Sequence, residues 1–121
     1  MKTPHDPRHR KRQQIVQELF SLEFHPQKIS DTAKAIFEQK NAIDQEIAKA
    51  APEFPVTKIN RIDLAILRLA VYEMLIEKKA PKNVIIDEAV ELAKEFAGDT
   101  SPAFINGALG NISLYEKSPD I

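Results

Sequence analysis

The sequence predicts an all-α fold, and three observations carry that prediction. Only three glycines occur in 121 residues, Gly98, Gly107 and Gly110, all in the last quarter. β-branched residues rarely alternate with polar ones at the period of two that strands require. Apolar residues instead recur at three- and four-residue intervals, the signature of helices that bury one face. A chain of this length fits one domain and can bury roughly two-thirds of its unfolded surface. A bundle of about five to six helices around a single core is the expected architecture.

Each element follows from local signals. Pro4 and Pro7 keep the first residues extended, and residues 1–7 are expected to form a flexible arm. Ile15, Val16, Leu19, Phe20 and Phe24 predict a first helix over 8–24, ended by His25-Pro26. Ser30 is a suitable N-cap for a second helix over 31–50, whose apolar face is Ala33, Ile36, Phe37, Ile43 and Ile47 and which Pro52 and Pro55 stop. Residues 62–76 are apolar almost all round, from Ile62 and Leu64 through Ile66, Leu67, Leu69 and Val71 to Met74 and Leu75, as a central helix must be. After Pro81, the residues Ile86, Ala89, Val90, Ala93 and Phe96 mark a helix over 83–97, closed by Gly98. Asp99-Thr100-Ser101-Pro102 reads as a capped start to a last helix over 102–115. Gly107 inside that helix costs roughly 1 kcal/mol relative to Ala, which predicts close approach of another backbone. The domain is expected to span 8–117, with 118–121 as a tail.

The near-even charge, 17 Lys plus Arg against 18 Asp plus Glu, conceals a split. Within residues 1–14, Lys2, Arg8, Arg10, Lys11 and Arg12 stand against Asp6 alone, a net of +4 that leaves −5 for the rest of the chain. Clustered Lys and Arg neutralise several phosphates at once and release their counterions, so the segment suits a polyanion. Cations in the first turn oppose the helix dipole, which favours an external anion over service to the helix itself. A short solubilising leader is the competing reading of the same composition.

Enzyme chemistry has little to stand on. Cysteine is absent, which excludes disulfides, thiolate nucleophiles and Cys-ligated metals. His5 and His9 have the spacing of a helical ligand pair, but Pro7 lies between them and no metal site is expected. Asp87, Glu88, Glu91 and Glu95 read as the solvated face of a surface helix. No glycine-rich phosphate loop, G-x-S-x-G elbow or Ser/His/Asp grouping occurs, and no cofactor is called for. The N-terminus has no apolar run behind its basic residues, and Arg68, Glu73 and Glu77 interrupt the longest apolar stretches. A cytoplasmic protein without a membrane partner is the expectation.

Three ordered blocks are more distinctive as strings than as patterns: Ile62 to Leu75, Val84 to Lys94, and Ser101 to Gly107. Together they closely resemble the NusB family of bacterial transcription antitermination factors, and the likeness resumes where Arg8 to Arg12 run into Ile15 to Phe20. The resemblance implies a noncatalytic, all-helical RNA-binding protein. It would pair with NusE, a ribosomal small-subunit protein, bind boxA-like single-stranded RNA in the transcription elongation complex, and support ribosomal RNA synthesis. Arg8, Arg10, Lys11 and Arg12 match the basic motif that meets RNA, and Phe104 matches an aromatic at the RNA surface. Phe104 also reads as a core residue of the last helix. Phe20 and Asp63 match positions on the NusE-facing side. Arg68 and Glu73 match the L-R-x-A-x-Y-E signature and read as structural charged partners, while Asp87, Glu88 and Asn106 read as capping or interhelical hydrogen-bond residues. Only five residues separate Phe24 from Ser30, so the N-terminal half is shortened relative to typical members. Thr100 replaces a frequent acidic residue, and Phe54-Pro55 lies where a Trp is common. A helical protein-interaction module that has lost RNA binding is the alternative, and self-association into a homodimer stays open.

Overall fold

The computed structural model describes residues 6–116, and capping residues mark where several of its helices begin. Helix α1 spans Pro7–Ser21: Asp6 accepts a hydrogen bond from the Arg8 backbone N–H, and Pro7 occupies the first turn, where its missing N–H costs nothing. Pro7 therefore opens the helix instead of prolonging an extended arm. The rest of the expected arm over 1–7, residues 1–5 with His5, lies outside the described residues. The helix closes at Ser21, and the turn at Leu22–Phe24 takes up the last residues of the predicted span.

The single helix predicted over 31–50 is two: α2 (Asp31–Glu38) and α3 (Lys40–Ala50). Gln39 leaves helical geometry at φ −106° and ψ 14°, between exposed Glu38 and half-buried Lys40, with no proline or glycine to signal the break. The bend keeps Ile36, Ile43 and Ile47 all in the core. Ser30 caps α2 as expected, accepting from the Ala33 N–H, and is itself held by Glu18, which its hydroxyl contacts at 2.7 Å.

Asn60 caps α4 (Arg61–Val71), within which every residue from Asp63 to Val71 is buried. The helix continues as one wide π turn over Tyr72–Glu77 and stops at left-handed Lys78, whose N–H donates to the Glu73 carbonyl. The predicted central helix is thus α4 plus this turn. Helices α1, α3, α5 (Lys82–Phe96) and α6 (Ser101–Glu116) all pack against α4, which accounts for its all-round apolar character. Helix α5 ends at an extended Ala97, and no described glycine has a positive φ, so Gly98 does not supply a left-handed cap. Gly107 is exposed, and a Cβ built on it meets nothing within 4 Å. The predicted close approach of a second backbone is therefore absent at that position. Among the described residues no helix is long and apolar enough to cross a membrane.

Candidate nucleic-acid interface

The basic motif occupies the first two turns of α1, and the helical period sorts its members. Arg8, Arg10 and Lys11 point outward, while His9 and Arg12 turn toward α5 and the π turn. Arg8 is 83% exposed and loosely tied to Asp6 at 3.3 Å, a contact that holds the Asp6 carboxyl below its ordinary pKa. Among the described residues neither Arg10 nor Lys11 has a side-chain ion pair or hydrogen bond. Three cations are thus presented to solvent along one short stretch of helix.

Arg12 departs from its predicted role. Its guanidinium grips Glu73 through two bonds, Nε to Oε2 at 2.8 Å and Nη2 to Oε1 at 2.7 Å, and lies 3.7 Å from Glu88. The hydrogen bond to Glu73 raises its pKa further, and its side chain is only 13% exposed. A fork spent on a carboxylate has few donors left for phosphate. Glu73 is thereby a structural partner, as the sequence suggests.

His9 was not among the predicted site residues, yet it is one of the few buried polar groups. Its Nδ1 lies 2.7 Å from Glu88 Oε1, and its Nε2 lies 2.8 and 3.0 Å from the two oxygens of Glu95. This corrects the solvated-face reading for Glu88, which is buried, and bears out its interhelical one; Glu95 is exposed, as that reading has it, yet is bonded to His9. The two glutamates are seven residues apart, two turns along one face, which was a legible signal; their partner 79 and 86 residues away was not.

Phe104 resolves between its two readings as half-buried: it packs edge-to-face on Phe54, with ring centroids 5.4 Å apart. The pair borders a cavity of about 250 Å³ with Lys58, Asn60, Asp63 and Thr100. Asp63 is buried rather than presented to a partner. Ser101 donates to its Oδ2 at 3.0 Å, while Oδ1 has no hydrogen-bond partner. Burial raises the Asp63 pKa, and the Ser101 bond only partly opposes it. Phe20 meets exposed Phe24 edge-to-face, with ring centroids 5.0 Å apart, and lines a groove of about 700 Å³ with Gln17, Asn60, Arg61, Ile62 and Phe96. Asn60 borders both hollows, so Phe20, Asp63 and Phe104 belong to one end of the molecule. The basic turn lies at the other end of α1, about 18 Å from Phe20 at the helical rise.

This fold is shared with known proteins. The sequence profile of the NusB family matches residues 5–114. The chain belongs to the NusB family. It is 43% identical over 83 residues to the transcription antitermination protein NusB of Geobacter sulfurreducens, a match covering 69% of this chain and 60% of that protein. The NusB of Acetivibrio thermocellus is 45% identical over 84 residues, covering 69% and 58%. The chain therefore spans about 60% of the length of the curated relatives it matches. A crystal form of T. maritima NusB superposes with a TM-score of 0.77 at 32% identity, covering 99% of this chain and 96% of that one. A second chain, from a crystal structure titled for a plectonemic RNA supercoil, shares the fold with a TM-score of 0.73 at 20% identity. The NusB fold is therefore kept across the whole described length.

Proposed function

We propose that this protein is a noncatalytic RNA-binding transcription antitermination factor that pairs with the ribosomal protein NusE and binds boxA-like RNA within the elongation complex, in the cytoplasm. The observation that carries the reading is the outward set of Arg8, Arg10 and Lys11, three exposed cations on a helix whose dipole does not need them. Phe104, edge-on to Phe54 beside Lys58, offers a face on which an unpaired base can stack, the usual way single-stranded RNA is held. The groove at Phe20 and Phe24 suits an apolar anchor of the protein partner, with the acidic body around it complementary to a basic ribosomal protein. Asp63 and Arg12 support these surfaces from beneath.

Gel-shift titration with boxA RNA, with and without NusE, tests this reading. Replacing Arg8, Arg10 and Lys11 by Ala together should weaken binding across RNA sequences and reduce the slope of log affinity against log salt by about 2, for three lost phosphate contacts. Phe104→Ala should cost roughly 1–3 kcal/mol of RNA affinity through lost stacking. A triple variant that binds as well as the parent removes the basic turn from the interface. NusE binding without RNA retention by either protein form favours the interaction-module reading.

A further inference from the structure

The turn that presents Arg8, Arg10 and Lys11 rests on a layer of opposite charge. From α5 come Glu88 and Glu95, from the π turn Glu73 with Glu77 near Arg12, and from α1 itself only His9 and Arg12 answer them. Gln13 adds a neutral donor to Glu95 at 3.0 Å. A carboxylate only accepts hydrogen bonds, so an imidazole with a carboxylate oxygen at 2.7 Å from one nitrogen and 2.8 Å from the other satisfies both only as the imidazolium. His9 itself is only 4% exposed, so its ring nitrogens rely on these carboxylates.

We propose that His9 is the positioning residue of the basic turn: its imidazolium clamps the first turns of α1 to α5 and cancels carboxylate charge that would otherwise face a bound phosphate, so that anion affinity falls as His9 loses its proton. This rests on the reading that Arg8, Arg10 and Lys11 meet an RNA backbone. The neutral ring has a single N–H, so deprotonation sets a bare nitrogen lone pair against a carboxylate oxygen at hydrogen-bond distance. Glu73, Glu88 and Glu95 then keep their negative charge with one cation fewer among them, beneath the cations offered to the ligand. Burial by itself pushes the ring's pKa down most strongly, but the bonds to Glu88 and Glu95 and their charges together outweigh it and hold it above the ordinary value. The transition therefore falls on the alkaline side of about 6.5.

The test measures affinity for a short uridine-rich single-stranded RNA at constant ionic strength, from slightly acid to mildly alkaline pH. The protein carries His5→Gln and His25→Gln, so that His9 is the only histidine left. Affinity is expected to fall several-fold along the His9 ring titration observed by NMR. His9→Gln should bind at the weaker level with a flat profile. Glu95→Gln, which removes one carboxylate and leaves the ring, should move the affinity transition and the NMR titration together to lower pH; a merely structural role would lower affinity equally at every pH. A flat profile with His9 present overturns the proposal, as does a slope that survives His9→Gln or stays put in Glu95→Gln. Inorganic polyphosphate is the second probe. If it binds with the His9-linked profile while RNA is not retained at any pH, the RNA reading falls and the clamp stands; if neither anion binds, both fall.

Discussion

Two interhelical ionic networks tie this bundle together, and they differ in the cation at their centre. Around the middle of α4, Arg68 reaches Asp44 of α3 with two bonds of 2.9 and 2.7 Å and Glu23 at 3.0 Å, while Arg61 meets the same Glu23 at 3.2 Å. Under the basic turn, His9 and Arg12 answer Glu73, Glu88 and Glu95. An arginine keeps its proton throughout the range where proteins fold, and its carboxylate partners raise the Arg68 pKa despite the opposing effect of burial. A histidine does not keep its proton. One network is a fixed brace and the other is adjustable, and the adjustable one lies beneath the surface proposed to meet RNA.

The sharpest way to break the comparison is Arg68→Ala, which leaves the half-buried Asp44 without its cation and Glu23 with Arg61 alone. It should lower unfolding free energy by about 3–5 kcal/mol in urea denaturation, with no dependence of that loss on pH between mildly acid and mildly alkaline conditions. A loss under about 1 kcal/mol would show that the brace carries little. The next effect in size belongs to His9. Because its folded pKa is raised, its contribution is fully present below the unfolded value of about 6.5 and is lost as pH rises through the folded one. The urea midpoint should fall across that window in the parent and stay level in His9→Gln.

Smaller effects sharpen the picture at the other end of the molecule. Gly107→Ala should stabilise the protein by about 0.5–1 kcal/mol, since the added methyl meets open space and the helix gains propensity. Thermal unfolding with unchanged NusE and RNA binding would show that the exposed glycine is unused by either partner. Asp63→Asn should change stability by less than about 0.5 kcal/mol, because the amide oxygen still accepts from Ser101 and a buried charge is removed. A loss above about 1 kcal/mol would mean that the carboxylate itself matters to the fold.

The helices and the core were legible because they rest on local periodicity and caps: Ser30 and the apolar stripes of α1, α4 and α6 fall where the spacing puts them, except Phe24, which lies past the end of α1 and is exposed. The break at Gln39 and the π turn were not, since neither carries a glycine or proline and both are settled by packing. For the site, counting basic residues found the right segment and overstated its reach, because the helical period sends Arg12 inward to Glu73. The role of His9 is hidden for a related reason. Its meaning depends on two glutamates about eighty residues away, and only the packing of both α1 and α5 on α4 brings them together.

The wide turn at Tyr72–Glu77 has a consequence for the length of the chain. A π turn closes its hydrogen bond over one residue more than an α turn, as Lys78 N–H to Glu73 carbonyl does here, so it stores one residue of slack in an otherwise continuous helix. Removing one residue between Leu75 and Glu77 would return the segment to α geometry and leave Glu73, on the upstream side, in reach of Arg12. The same deletion inside Leu64 to Val71 would rotate every downstream core position by about 100°. Between α4 and α5, then, the fold tolerates a change in count where it would not tolerate one in the helix just before it.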